Sequence, residues 1–235
     1  MLSHALRARA TLQRQQSFTI SFVSSATNGV AGTNGTSTSV TLPSTIQAND
    51  ILVIFCNVID SNSSTPPSIT TPSGYTLVNV QGSYNIPQAD TESVGTYYKI
   101  AVSGDASSTL TISSGNGNYR SVTAIVFRTT KGSSPNISIA SLNSYGSAVT
   151  SGSAPSPPNQ TVTSGTGSAP LIVLASYVTL STRTFTPTED GEIASFNAGR
   201  YMRYRIYNSS PVDTLVGEVN NLTVTTLKSF YMGVS

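Results

Sequence analysis

Acidic side chains are bunched once in this chain, at Glu189, Asp190 and Glu192. Paired carboxylates can hydrolyse a glycoside, but the acid and the base must stand in separate environments on opposite sides of the bond. These three share one turn and one solvated environment. Oxygen ligands on such a turn could also hold a calcium ion; a plain solvated turn is the simpler expectation. The single histidine, His4, lies in an N-terminal stretch with no core of its own. A Ser-His-Asp triad there would have no packed pocket around it. The single cysteine, Cys56, has no partner for an intrachain disulfide and reads as a small buried hydrophobe. No His/Cys cluster has zinc spacing, and no Gly-rich phosphate loop opens a helix. No catalytic residue, metal site or cofactor is expected.

Two groups of residues are better suited to holding a partner. On a strand over 200–207, Met202, Tyr204 and Ile206 point one way while Tyr201, Arg203, Arg205 and Tyr207 point the other. Interfaces are enriched in Tyr and Arg, so the second face is a candidate contact patch, set against an ordinary outer face with snorkelling arginines. The other group is Arg7, Arg9 and Arg14. Residues 1–17 carry +3 with no acid, and the rest of the chain sums to −1. A neutral body with a basic arm is the result. Three arginines are too few to argue for nucleic acid.

The elements that must position these residues are strands. Asp50-Ile-Leu-Val-Ile-Phe-Cys-Asn-Val-Ile59 is apolar at eight of ten positions and rich in β-formers. A strand like this must be covered on one face and partly on the other. Tyr97–Val102, Ser121–Arg128 and Pro170–Thr179 are the expected neighbours. Asn28–Ser37 and Gly115–Asn118 read as Gly/Asn loops, and Asp60–Pro72 as a Pro-containing loop that cannot enter a central ladder. Twelve to fourteen short strands separated by turns, with no helix after residue 17, predict an all-β antiparallel β-sandwich over 18–235, preceded by a short arm over 1–17 that could be helical. No stretch reaches the ~18 apolar residues of a membrane span, and the start lacks the apolar middle of a secretory signal. Charged residues are only 9% of the chain and Ser plus Thr about 30%. Hydroxyls and amides, more than ions, hold this surface in water, as suits an extracellular or particle-surface protein.

Five phrases in this chain occur together in a family of phage and prophage virion proteins. They are Leu42-Pro-Ser-Thr-Ile-Gln-Ala-Asn-Asp-Ile-Leu-Val, Thr71-Pro-Ser-Gly-Tyr-Thr-Leu, Tyr97-Tyr-Lys-Ile-Ala, Val122-Thr-Ala-Ile-Val-Phe-Arg and Ala169-Pro-Leu-Ile-Val-Leu-Ala. The chain resembles that family over about 18–235, with Asn49 where the family usually has Gly and Tyr75 where it often has Trp. The resemblance implies a single jelly-roll-like domain and a virion structural role, with no catalytic residues to carry over. The leading expectation is a capsid decoration (cement) protein on the head exterior. Arg7, Arg9 and Arg14 would anchor it to the major capsid protein or to sister copies, as a homo-trimer. The alternative is a tail- or fibre-associated adhesin that binds a host glycan through Tyr201, Arg203, Arg205 and Tyr207.

Overall fold

The computed structural model describes residues 18–61, 63–85, 90–146, 160–163, 170–178, 184–186, 190–194, 200–208, 212–218 and 226–235. The chain is all-β and antiparallel, as expected. Its strands are β1 (Ile20–Thr41), β2 (Ile51–Asp60), β3 (Thr76–Asn85), β4 (Asp90–Ile100), β5 (Thr109–Thr129), β6 (Ile137–Gly146), β7 (Gln160–Thr163), β8 (Leu171–Val178), β9 (Thr184–Thr186), β10 (Gly191–Ala194), β11 (Arg200–Tyr207), β12 (Val212–Glu218) and β13 (Thr226–Val234). One five-stranded sheet runs β1-β5-β2-β4-β3 and the other β10-β11-β8-β13-β6, with a small β7-β12-β9 sheet besides. The arm over 1–17 lies outside the described residues.

Strand β2 is central because its sequence leaves it no other place. It pairs with β4 on one side and β5 on the other. Alternation then sends its side chains into two separate cores. Leu52, Ile54, Cys56 and Val58 enter one, with Tyr97, Val122, Ala124 and Val126. Ile51, Val53 and Phe55 enter the other, with Ile125 and Phe127 and, from the second sheet, Ile172, Leu174, Met202, Tyr204 and Met232. The second cluster is the sandwich interior between the two sheets. Each fully buried Leu, Ile or Val contributes about 1.5–3 kcal/mol relative to an exposed one. A polar residue placed at mid-β2 would therefore damage one core or the other.

The first cluster is closed by an arrangement that the sequence reading missed. The Gly/Asn segments taken there as loops lie inside two long strands. β1 and β5 pair from Ile20↔Thr129 to Thr41↔Thr109, with register shifts between Ala31 and Ser37. The two glycine-rich stretches meet as the pair Gly35↔Gly117. There the ribbon folds over, bringing Val40 and Ile112 onto the first core. The Asn28 side chain donates to the Ser39 carbonyl at 2.8 Å, across eleven residues of one strand, which only a doubled-over strand permits. At the fold, Arg120 is 5% exposed. Its guanidinium donates to the carbonyls of Ser37 (3.0 Å) and Thr33 (2.9 Å) and to that of Gly117. These carbonyls belong to the irregular stretch of the ribbon, where the ladder slips, and the arginine satisfies them. The loops looked like loops because glycine and asparagine also suit the bulges that let a strand bend.

Candidate functional site

The tyrosine-arginine strand is β11. It lies inside the second sheet, paired with β10 on one side and β8 on the other. Met202 and Tyr204 are buried in the inter-sheet core and Ile206 packs against it, as the alternation predicts. Tyr204 stacks on Phe22 at 5.1 Å between ring centroids and meets Phe127 edge-on at 5.4 Å. On the opposite face, Tyr207 is only 8% exposed and so offers a partner little area. Arg205 is half-buried, with its guanidinium 4.9 Å from the Tyr207 ring centroid. The side chains of Tyr201 and Arg203 lie outside the described residues, although register places Arg203 opposite Glu192. Arg7, Arg9, Arg14 and His4 lie outside them as well.

In the acidic turn, Asp190 is exposed, and its carboxylate accepts the Ile206 backbone N–H at 2.6 Å. Its own N–H donates to the Tyr204 carbonyl at 3.0 Å. The carboxylate thus extends the β10–β11 ladder by one rung. Glu189 lies outside the described residues. Among the described residues no group of three or more His, Cys, Asp or Glu side chains is placed to hold a metal ion, and no helix is long and apolar enough to cross a membrane.

Two charged pairs brace the fold, and they join the sequence phrases to one another. Asp50 is 1% exposed. Arg128 donates to it through two nitrogens, Nε and Nη2, at 2.7 Å each. The same carboxylate accepts the Gln47 N–H at 2.8 Å, while Arg128 also donates to the Thr45 carbonyl. Hydrogen bonding to Asp50 pushes the arginine's pKa up. The turn before it needs Asn49 at φ 73°, a left-handed position that asparagine tolerates and glycine prefers. Likewise Lys99 donates to Asp105 at 2.7 Å and lies 5.6 Å from the Tyr75 ring centroid. Asp105 also accepts the Val102 N–H at 2.7 Å, closing the short 3-10 turn Ser103–Asp105. Burial, with help from Asp105, pushes the Tyr75 phenol up to about 12. Sequence reasoning missed these braces. The signal was the placement of Asp50 and Arg128 at the ends of two strands that must be neighbours.

Among the described residues, the hydroxyls of Thr96 and Tyr97 are buried without a hydrogen-bond partner. Tyr97 folds back over Gly95, where a Cβ would lie 2.5 Å from its oxygen. Burial first, then the nearby Cys56, raises its pKa. No family model, no curated protein and no solved structure matches the chain.

Proposed function

We propose that this chain is a non-enzymatic virion structural protein, a phage capsid decoration (cement) protein on the head exterior, anchored by the basic arm over 1–17. The observation that carries the reading is the use made of charge. In the body, Asp50, Arg128, Lys99, Asp105 and Arg120 are tied to one another or to backbone carbonyls and amides. These five are among the body's nineteen charged residues, nine basic and ten acidic, so the two-core sandwich is close to neutral and the net positive charge lies only in the arm. A body of this kind resists nonspecific sticking, and an arm gains contact area only on binding, where each ordered residue costs about 1–2 kcal/mol of backbone entropy. The partners would be the major capsid protein and sister copies. The resemblance of the five phrases to virion proteins points to the same reading.

The test is a cryo-EM map of the native particle with this chain located in it. Density on the capsid shell, with residues 1–17 running into a neighbouring subunit, is the expected result. Density at the tail or a fibre tip overturns the head reading in favour of host recognition through β11.

A further inference from the structure

Among the described residues the first sheet ends at an edge strand with one neighbour. Strand β1 has β5 as its one neighbour in the sheet order. The outer side of its first limb runs from Ile20 to the fold near Ala31. At Ile20 that side is closed by the chain itself. The Asn208 side chain accepts the Ile20 N–H at 2.6 Å and donates to the Ile20 carbonyl at 3.0 Å, as a partner strand would. Beyond that cap no described strand pairs with the edge. Ser21, Phe22, Ser25, Thr27, Asn28 and Ala31 are exposed. Pairing with β5 is unbroken from Ser24↔Val126 to Ala31↔Tyr119, so the backbone there is regular enough to template another strand.

Proteins usually blunt such an edge with lysine, proline or inward-pointing charge. All of β1, from Ile20 to Thr41, contains no Lys, Arg, Asp, Glu or Pro. We infer that the β1 edge over Ser24–Ala31 is a self-association surface, pairing antiparallel with the same edge of a second copy about a two-fold axis near Thr27 and Asn28. An uncharged edge has nothing to offer a charged partner, and it meets its own copy without repulsion. Antiparallel pairing also sets the basic arms far apart. The two Ile20 positions would stand some fifteen residues apart, about 50 Å at ~3.3 Å per residue. The screening length at physiological salt is about 8 Å, so the two +3 arms do not oppose the contact. Parallel pairing would bring the arms side by side.

A contact of eight residues per strand falls well below the ~1,600 Å² of a standard interface, so the dimer is weak in dilute solution. It gains where copies are held close together, because the second contact is then effectively intramolecular. The inference does not rest on the decoration reading, since any crowded setting would serve.

Sedimentation equilibrium of the full chain, up to its solubility limit, tests it. The expected result is a monomer–dimer equilibrium that Ser25→Lys with Ala31→Lys weakens at least about tenfold, at an unchanged thermal midpoint. Hydrogen exchange on the unmodified chain provides the second reading. Amides within 24–31 should exchange more slowly as concentration rises. A chain that stays monomeric throughout overturns the inference. So does association that the lysines leave intact, or concentration-dependent protection confined to other strands. Should the lysine variant fail to fold, exchange on the unmodified chain decides alone.

Discussion

Asp50 is a single carboxylate that satisfies three donors at once, two from Arg128 and the Gln47 N–H. Hydrogen bonds to charged groups contribute about 1.5–3 kcal/mol each when the partner is left stranded. The Arg128 side chain is 33% exposed and can rehydrate, so the loss is at the low end. Asp50→Ala should cost about 2–3 kcal/mol in urea unfolding, and Asp50→Asn less, since the amide oxygen still accepts from Gln47. An Asp50→Asn variant as stable as the unsubstituted chain would show that the arginine fork is idle. Protonation makes a second prediction at this scale. Burial pushes the Cys56 thiol from 9.0 up to about 12, and the Tyr75 phenol from 10.0 to about 12. Both values are raised in the fold, so the unfolded chain releases these protons first and stability falls as pH rises. The loss begins near pH 9 with Cys56 and continues through pH 12. Cys56→Ala should flatten the first part of that fall in thermal scans. A midpoint that stays constant from pH 9 to 11 would contradict it.

At the scale of the element, β2 was legible and the β1–β5 ribbon was not. Strand β2 announces itself because eight apolar side chains in ten residues have no other stable arrangement. The strand β11 alternation was legible for the same reason, down to which side chains of Met202, Tyr204 and Ile206 face the core. The ribbon's fold-over was hidden because its signal is glycine, which marks turns and bulges alike. Only pairing distinguishes them, and pairing is nonlocal: Gly35 and Gly117 become informative once they are seen opposite each other. Each is forced by close approach. A Cβ on Gly117 would lie 2.5 Å from Val58 Cγ1 and 2.9 Å from the Ile59 carbonyl, and one on Gly35 2.7 Å from the Arg120 guanidinium. Gly117→Ala should therefore destabilise by about 1–3 kcal/mol through overpacking against β2. Gly132→Ala is a control of another kind, with no atom within 4 Å but φ +73°, where the cost is backbone strain alone and about 1 kcal/mol. A neutral Gly117→Ala in chemical denaturation would mean that the fold-over does not press on the central strand. The tyrosine-arginine patch was legible as a pattern but not as an exposure, because Tyr207 turns out to be covered.

For the whole molecule, the division of charge sets how body and arm should answer to salt. The body is close to neutral and its described ion pairs are short contacts, Arg128–Asp50 and Lys99–Asp105 at 2.7 Å each. Screening acts weakly at such range, where the charges lie well inside one ~8 Å Debye length. Folding stability should thus change little between low and high salt. The arm is the opposite case: three arginines with no acid among residues 1–17, whose attraction to an acidic partner surface is long-ranged and screened. If the arm anchors the body to a capsid, association with purified shells should weaken steadily as salt rises, while the unfolding midpoint stays put. Removing 1–17 should then abolish shell binding with the midpoint unchanged, because the described members of both cores all lie after the arm. Replacing Arg7, Arg9 and Arg14 with Gln should reproduce most of the loss if charge is the cause, and little of it if the arm holds by its leucines. Shell binding that survives deletion of the arm would move the anchor onto the sandwich, where the edge of β1 is the first surface to test.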